Sequence, residues 1–243
     1  MLCGIVSSDK VYEHILSNNP KNLGDIIEGQ SFVIDGMKVT IISPDVDKLN
    51  QLREKYSNHR PLCKSEIDKA SVEAGSVMDD YFIPLQKFNL DYFQEDTSVE
   101  NASSIAAVFE YDDKRILWLS DSVPSVVMKS LFMLGFSETN KMYCDAVLLS
   151  HHGSAANNSL ALLRMIQADK YIISADGMNG HCLPNKETIA RIVSAFSNLP
   201  VTLYFNYEDG RLIKMFKSDA QEDVKSRIDV HYLKDMEGYL YTS

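Results

Sequence analysis

The chain is poor in basic charge. Its 24 Lys and Arg stand against 34 Asp and Glu, for a formal net charge of −10 and a pI near 5.0. A broad, sequence-blind grip on nucleic acid needs clustered Lys and Arg, and the balance argues against one. Nucleic acid stays open as a substrate whose phosphate is met locally by metal ions. Four cysteines (Cys3, Cys63, Cys144, Cys182) are widely spaced and form no CxxC pair, so they read as reduced thiols of a cytoplasmic protein. No apolar run approaches the length of a membrane span, so no membrane is expected. The opening Met1 to Val6 is too short for a signal peptide and lacks its basic flank. Internal repeats and low-complexity tracts are absent. What is present is an ordinary 45% hydrophobic content over 243 residues, enough for one large domain or two small ones.

Turn chemistry organises the first part of the chain. Ser31 to Ile34 and Met37 to Ile42 are β-rich runs around Asp35-Gly36, a two-residue hairpin signal. A charged helical pattern runs from Val46 to Tyr56. From Asn58 to Glu100 the pattern fails, and nine acidic residues face four basic ones. Five aromatics in the same stretch (Tyr81, Phe82, Phe88, Tyr92, Phe93) argue against full disorder, so it reads as an acidic insertion acting as a lid or docking arm for a protein partner. It is expected to be irregular or locally helical and to lie over or beside the functional edge.

Beyond it, Ser104 to Tyr111 and Arg115 to Leu119 read as a hairpin around Asp112-Asp113. Pro124 opens a helix that Gly135 stops. Cys144 to Leu149 and Lys170 to Ser174 read as buried strands, with helices at Ser159 to Gln167 and Pro184 to Phe196. Val201 to Asn206 and Leu212 to Phe216 read as a last hairpin. Strands both in hairpins and alternating with helices predict a layered α/β sandwich. One domain over 1–217 with insertion 58–100, followed by a tail at 218–243, is expected.

Four polar clusters sit at strand ends or turns: Asn101 to Ser104, Ser120-Asp121, Ser150 to Ser154 (Ser-His-His-Gly-Ser), and Gly180 to Pro184 around His181. Taken singly, Asp121 fits a helix N-cap, Asn157 another cap, Asn101 an Asx turn, and His181 a bond to a carbonyl. The adjacent His151 and His152 are different. Along a strand they would point to opposite faces, but in a turn just after one both can face a cleft. Imidazole with carboxylate is the ligand set that suits zinc or manganese. His14, His59 and His231 carry no motif and read as surface residues.

At these residues the chain resembles the metallo-β-lactamase fold superfamily, nearest the hydrolase domain of competence proteins of the ComEC kind. Asn101-x-x-Ser104, the strand ending in Ser120-Asp121, the strand ending in His151-His152-Gly153-Ser154, and the stretch from Ser174 to Pro184 through His181 carry the resemblance, over about residues 100 to 217. It implies an αβ/βα sandwich and metal-dependent hydrolysis of phosphodiesters or related esters. Asp121, His151 and His181 would be metal ligands, for two Zn2+ or Mn2+ ions in a complete protein. His152 and His181 would line the substrate side as ligand, oxyanion stabiliser or proton donor, and Asn101 and Ser104 would orient the site. The superfamily's first metal motif, His-x-His-x-Asp-His, has no counterpart here. The chain therefore resembles the downstream part of the fold, N-terminally incomplete, with weak or absent metal binding alone and a missing N-terminal half, or a partner, as the complement. A non-catalytic binding or regulatory module of the same fold is the alternative. Ser120 stands where that family has Gly, which predicts either a restricted backbone or a reshaped site.

Overall fold

The computed structural model describes residues 24–58, 79–177, 181–196 and 200–233. They form an α/β fold around one mixed eight-stranded sheet. Its strands are β1 (Ser31–Ile34), β2 (Met37–Ser43), β3 (Ala106–Tyr111), β4 (Lys114–Trp118), β6 (Ala146–Leu148), β8 (Lys170–Ile173), β9 (Val201–Phe205) and β10 (Ile228–Tyr232), in that spatial order. A small parallel pair, β5 (Met142–Tyr143) with β7 (Ile166–Gln167), lies apart. The helices are α1 (Val46–Asn58), α2 (Val99–Ala102), α3 (Pro124–Met133), α4 (Leu160–Arg164), α5 (Lys186–Ala195) and α6 (Gln221–Arg227).

The first four strands form an antiparallel meander, and turn residues explain it. Asp35 and Gly36 both take positive φ, as do Asp112 and Asp113, the geometry a two-residue hairpin demands. From β4 onward every pairing is parallel, with helices in the connections. Helix α3 begins on Pro124 and stops at Gly135, whose φ is +90°. The Phe136 N–H bonds Leu131 O at 2.9 Å and the Gly135 N–H bonds Phe132 O at 2.9 Å, which is the Schellman closure.

The core lies on one face of the sheet. Val108, Leu117, Val147, Tyr171 and Leu203 form a buried row across five strands. They share a cluster with Val127 and Leu131 of α3, Leu162 and Leu163 of α4, Ile189 and Ile192 of α5, and Val224 of α6. The opposite face carries a small separate cluster of Val39, Ile41 and Ala107 that no helical residue joins among those described.

Two readings of the C-terminal part need correction. Leu212 to Phe216 is not a strand. Asp209 accepts from the Arg211 N–H, and Leu212–Lys214 winds into a 3₁₀ turn that buries Leu212 and Met215. The last strand comes instead from the expected tail: α6 leads into β10, which pairs in parallel with β9 as the sheet's far edge. Helix α5 also starts two residues later than Pro184. Asn185 makes no side-chain cap, and the carboxylate of Asp80 accepts from the Lys186 and Glu187 N–H groups at 2.8 and 2.9 Å.

Asp80 belongs to the acidic insertion, of which 59–78 lies outside the described residues. From 79 to 98 it is a strap with little regular structure beyond a 3₁₀ turn at Leu85–Lys87. Its strongest anchor is Lys186, whose side chain is fully buried. The ammonium lies 2.5 Å from Asp219 and donates to Tyr81 O and Ser218 Oγ. Asp219 also accepts from the Leu85 N–H at 2.6 Å. Breaking a buried pair by removing one partner costs about 3–5 kcal/mol, whereas apolar replacement of both is often neutral. Asp219→Ala is therefore expected to lose about that much in urea melts, and Lys186→Met with Asp219→Leu to recover most of it. Equal losses in single and double variants would show that the pair does not act as a unit.

Candidate functional site

Parallel register brings the carboxyl ends of β4, β6 and β8 to one edge, the side on which open α/β sheets bind ligands. Ser120 and Asp121 follow β4, His151 and His152 follow β6, and Ser174 follows β8. The turns adjoin: the His151 N–H donates to Ser120 O at 2.7 Å. Ser120 has φ 48°, so it adopts the left-handed backbone that glycine favours. Its hydroxyl holds the turn by donating to Ile105 O at 2.7 Å, and it accepts from Trp118 Nε1 at 3.1 Å.

The His-His turn is left-handed throughout: φ is 45° at His151, 58° at His152 and 83° at Gly153. Asn158, fully buried, frames it by donating to Ser150 O and Ser154 O and accepting from the Ser150 N–H. Gly153 faces Pro184, and a Cβ at position 153 would sit 2.7 Å from Pro184 Cβ. This contact, with the Asn185 N–H to Gly153 O bond, seats the stretch after His181 against the His-His turn. His181 itself is exposed, in a turn three residues before Pro184.

Hydrogen bonds set both imidazole tautomers. His152 Nδ1 lies 2.5 Å from Ser174 O, a carbonyl that can only accept, so Nδ1 carries the proton. Asn157 is fully buried. Its Nδ2 faces Asp96 Oδ2 at 3.1 Å and Asp121 O at 3.3 Å, which turns Oδ1 to His151 Nδ1 at 3.0 Å. His151 Nδ1 is thus also the donor. Each ring keeps the Nε2 lone pair as its remaining valence, and the two ring centroids are 5.9 Å apart. Fixing a ring through Nδ1–H is how proteins orient an imidazole that ligates through Nε2.

Asp121 does not cap α3. Val123 is the N-cap without a side-chain bond, and Glu95 accepts from the Ser125 N–H at 2.6 Å instead. The half-buried Asp121 carboxylate makes no hydrogen bond or ion pair with the described residues. Asn157 does not cap α4 either; Ser159 does, accepting from the Leu162 N–H at 3.1 Å. Asn101 Nδ2 donates to Asp96 Oδ2 at 2.6 Å and lies 3.3 Å from His151 Nδ1. Ser104 contributes backbone: its N–H bonds Asn101 O, and its carbonyl accepts from Ser43 Oγ.

Asp96 is the residue that sequence reasoning missed. It lies 3.6 Å from His151 Nδ1 and holds both asparagines that surround that ring. Burial opposes its charge, but bonds from Asn101, the Ser98 N–H and Asn157 outweigh it and hold the carboxyl below its ordinary range. The strap thereby reaches the functional edge. Asp121 and His151 occupy adjoining turns, and no group of three or more His, Cys, Asp or Glu side chains is placed to hold a metal ion among the described residues. His231 is exposed on β10, while His14 and His59 lie outside the described residues. Cys144 and Cys182 are buried and in no disulfide, and burial pushes the Cys144 thiol up to about 12. No helix among the described residues is long and apolar enough to cross a membrane. Comparison with protein-family models, curated proteins and solved structures finds no match.

Gly153→Ala should loosen this edge. The added methyl meets Pro184 in a left-handed backbone, and overpacking of this kind costs about 1–3 kcal/mol. A denaturant melt that leaves the midpoint unchanged would show that the turn can relax away from Pro184.

Proposed function

We propose that this chain is the downstream part of a metal-dependent hydrolase of the metallo-β-lactamase fold, acting on phosphodiester or related ester bonds. The observation that carries the reading is the pairing of the Asp121 carboxylate, without a hydrogen-bond or ion-pair partner among the described residues, with two imidazoles anchored through Nδ1 at the same sheet edge. This donor chemistry fits zinc or manganese, but an open catalytic zinc site takes three protein ligands. Asp121 and His151 would hold the metal side, with His181 as the third candidate. Further ligands would come from a polypeptide carrying the His-x-His-x-Asp-His motif that this chain lacks. When bound, the metal would activate water and neutralise phosphate charge.

The chain's own residues would do the rest. Asp96 and Asn157 keep the His151 proton on Nδ1 and its Nε2 available. His152, held by Ser174 O, offers Nε2 to accept or return a proton beside the scissile bond. A surface of net charge −10 repels a phosphodiester until metal neutralises the edge. The non-catalytic reading is favoured by one observation, the lack of a three-ligand group among the described residues.

Zinc calorimetry and hydrolysis of bis-p-nitrophenyl phosphate decide between them. The chain alone is expected to bind zinc weakly and turn over slowly or not at all, and addition of the motif-bearing polypeptide to raise both. In that complex His151→Ala should abolish turnover, and Asp96→Ala should weaken metal affinity about 10- to 100-fold, the usual effect of losing a partner that orients a ligand. No turnover with the added polypeptide would favour the binding module.

A further inference from the structure

Arg191 lies in the second turn of α5 and is only 2% exposed, and its guanidinium faces two segments of chain at once. On one side Nη1 donates to Ala155 O at 2.5 Å and to Asn158 O at 2.9 Å. These two carbonyls bracket Asn157. On the other side Nη2 donates to Tyr92 O at 3.4 Å, and the Phe93 ring lies 5.2 Å from the guanidinium carbon. Tyr92 and Phe93 are the part of the strap just before Asp96. Glu187, one turn earlier on α5, accepts from Nη2 at 2.5 Å and so orients the fork. The two segments also meet directly, the Asp96 N–H donating to Ala156 O at 3.1 Å. One planar group on a helix thus spans the loop that carries Asn157 and the strap that carries Asp96. Both side chains surround His151 Nδ1.

We propose that Arg191 is a positioning residue of the site: by tying the Ala155 to Asn158 loop and the strap to one rigid fork, it fixes the Asn157 and Asp96 side chains that keep the His151 proton on Nδ1. Three observations favour this over a role in the core alone. The Arg191 Nε–H is buried and finds no acceptor among the described residues, and a buried ion pair is often no more stable than apolar groups of the same volume. Stability by itself therefore gives little reason for a guanidinium here. The donor geometry does give one. Arginine presents its donors in a fixed planar fork, whereas a lysine ammonium is a single point and cannot hold both segments. Asn157 also needs outside help. Its Nδ2 bonds to Asp96, Asp121 O and Ser122 O are 3.1, 3.3 and 3.4 Å long, so the backbone on either side must set its orientation. The proposal rests on the hydrolase reading for what His151 does, and on the geometry alone for how the ring is held.

The test uses the full chain without metal, isotope-labelled, and reads the imidazole nitrogens by NMR at about pH 8, above the ordinary imidazole pKa of about 6.5. In the unaltered chain His151 and His152 should each show one protonated Nδ1 and one bare Nε2. Arg191→Met keeps an apolar stem and removes the fork. In that variant His151 should lose its single form and average the two tautomers, with its Nδ1–H signal lost to exchange with water. His152, held by Ser174 O, and His231, paired with Asp229, should keep their signals. Arg191→Lys retains the charge without the fork, and should give the same loss at His151 with unchanged far-ultraviolet circular dichroism. A purely structural role would lower the melting temperature of both variants and leave His151 in its original form below the melt, which would overturn the proposal. So would a change shared by all three rings. Failure of both variants to fold would overturn it too, because Arg191 would then serve the core rather than the ring. Turnover plays no part in this readout, so a failure of the hydrolase reading would show separately, in the phosphodiester assay.

Discussion

A fully buried ammonium ties the molecule together. Lys186 stands at the first position of α5, and it binds Asp219 near the C-terminal end of the chain and Tyr81 of the strap. Without that anchor the strap would lose its hold near its start, and the strap carries three further fastenings. Asp80 caps α5, Glu95 caps α3, and Asp96 holds the asparagines around His151. The phenol of Tyr81 adds a bond to Pro184 O at 3.0 Å, beside the proline that presses on Gly153. A charge pair remote from the sheet edge is in this way continuous with the geometry of the edge itself.

The edge combines two unlike demands. Four positive-φ positions, Ser120 and the consecutive His151 to Gly153, require neighbours that over-determine them. Two fully buried asparagines and a buried serine supply that determination through backbone hydrogen bonds. The side chains that remain after this accounting are the Asp121 carboxylate and the imidazole Nε2 atoms. These are the groups on which the proposed chemistry depends.

Much of the sheet was legible in the sequence because turns declare themselves. Asp35-Gly36 and Asp112-Asp113 force left-handed pairs, and Pro124 and Gly135 bracket a helix whose both ends obey local rules. The His-His turn was legible as a site because no ordinary strand accommodates it. What was not legible depends on long-range contact. Ile228 to Tyr232 alternates with charge and histidine, as an exposed edge strand does, and its pairing with β9 has no local signature. Leu212 to Phe216 has a strand's composition, but burial at Leu212 and Met215 follows a three-residue spacing. Asp96 looked like one more solvated acid in an acidic stretch, and only its reach to Asn101 and Asn157 shows otherwise.

The spatial order of the strands in the large sheet never departs from their order along the chain. A ribosome releasing this polypeptide would therefore see each new strand join the outermost one already in place. No strand has to be wedged between two neighbours formed earlier, which keeps the sheet's pairings sequence-local for its class. The strap is the exception. It emerges before β3, yet its partners on α5 and at Asp219 are made more than a hundred residues later. The start of the strap, around Asp80 to Leu85, must wait for these partners until most of the chain is out. The buried anchor at the strap's start is thus among the last contacts the emerging chain can make, and a chain cut short before Asp219 would carry the His-His turn and seven of the eight strands without that anchor.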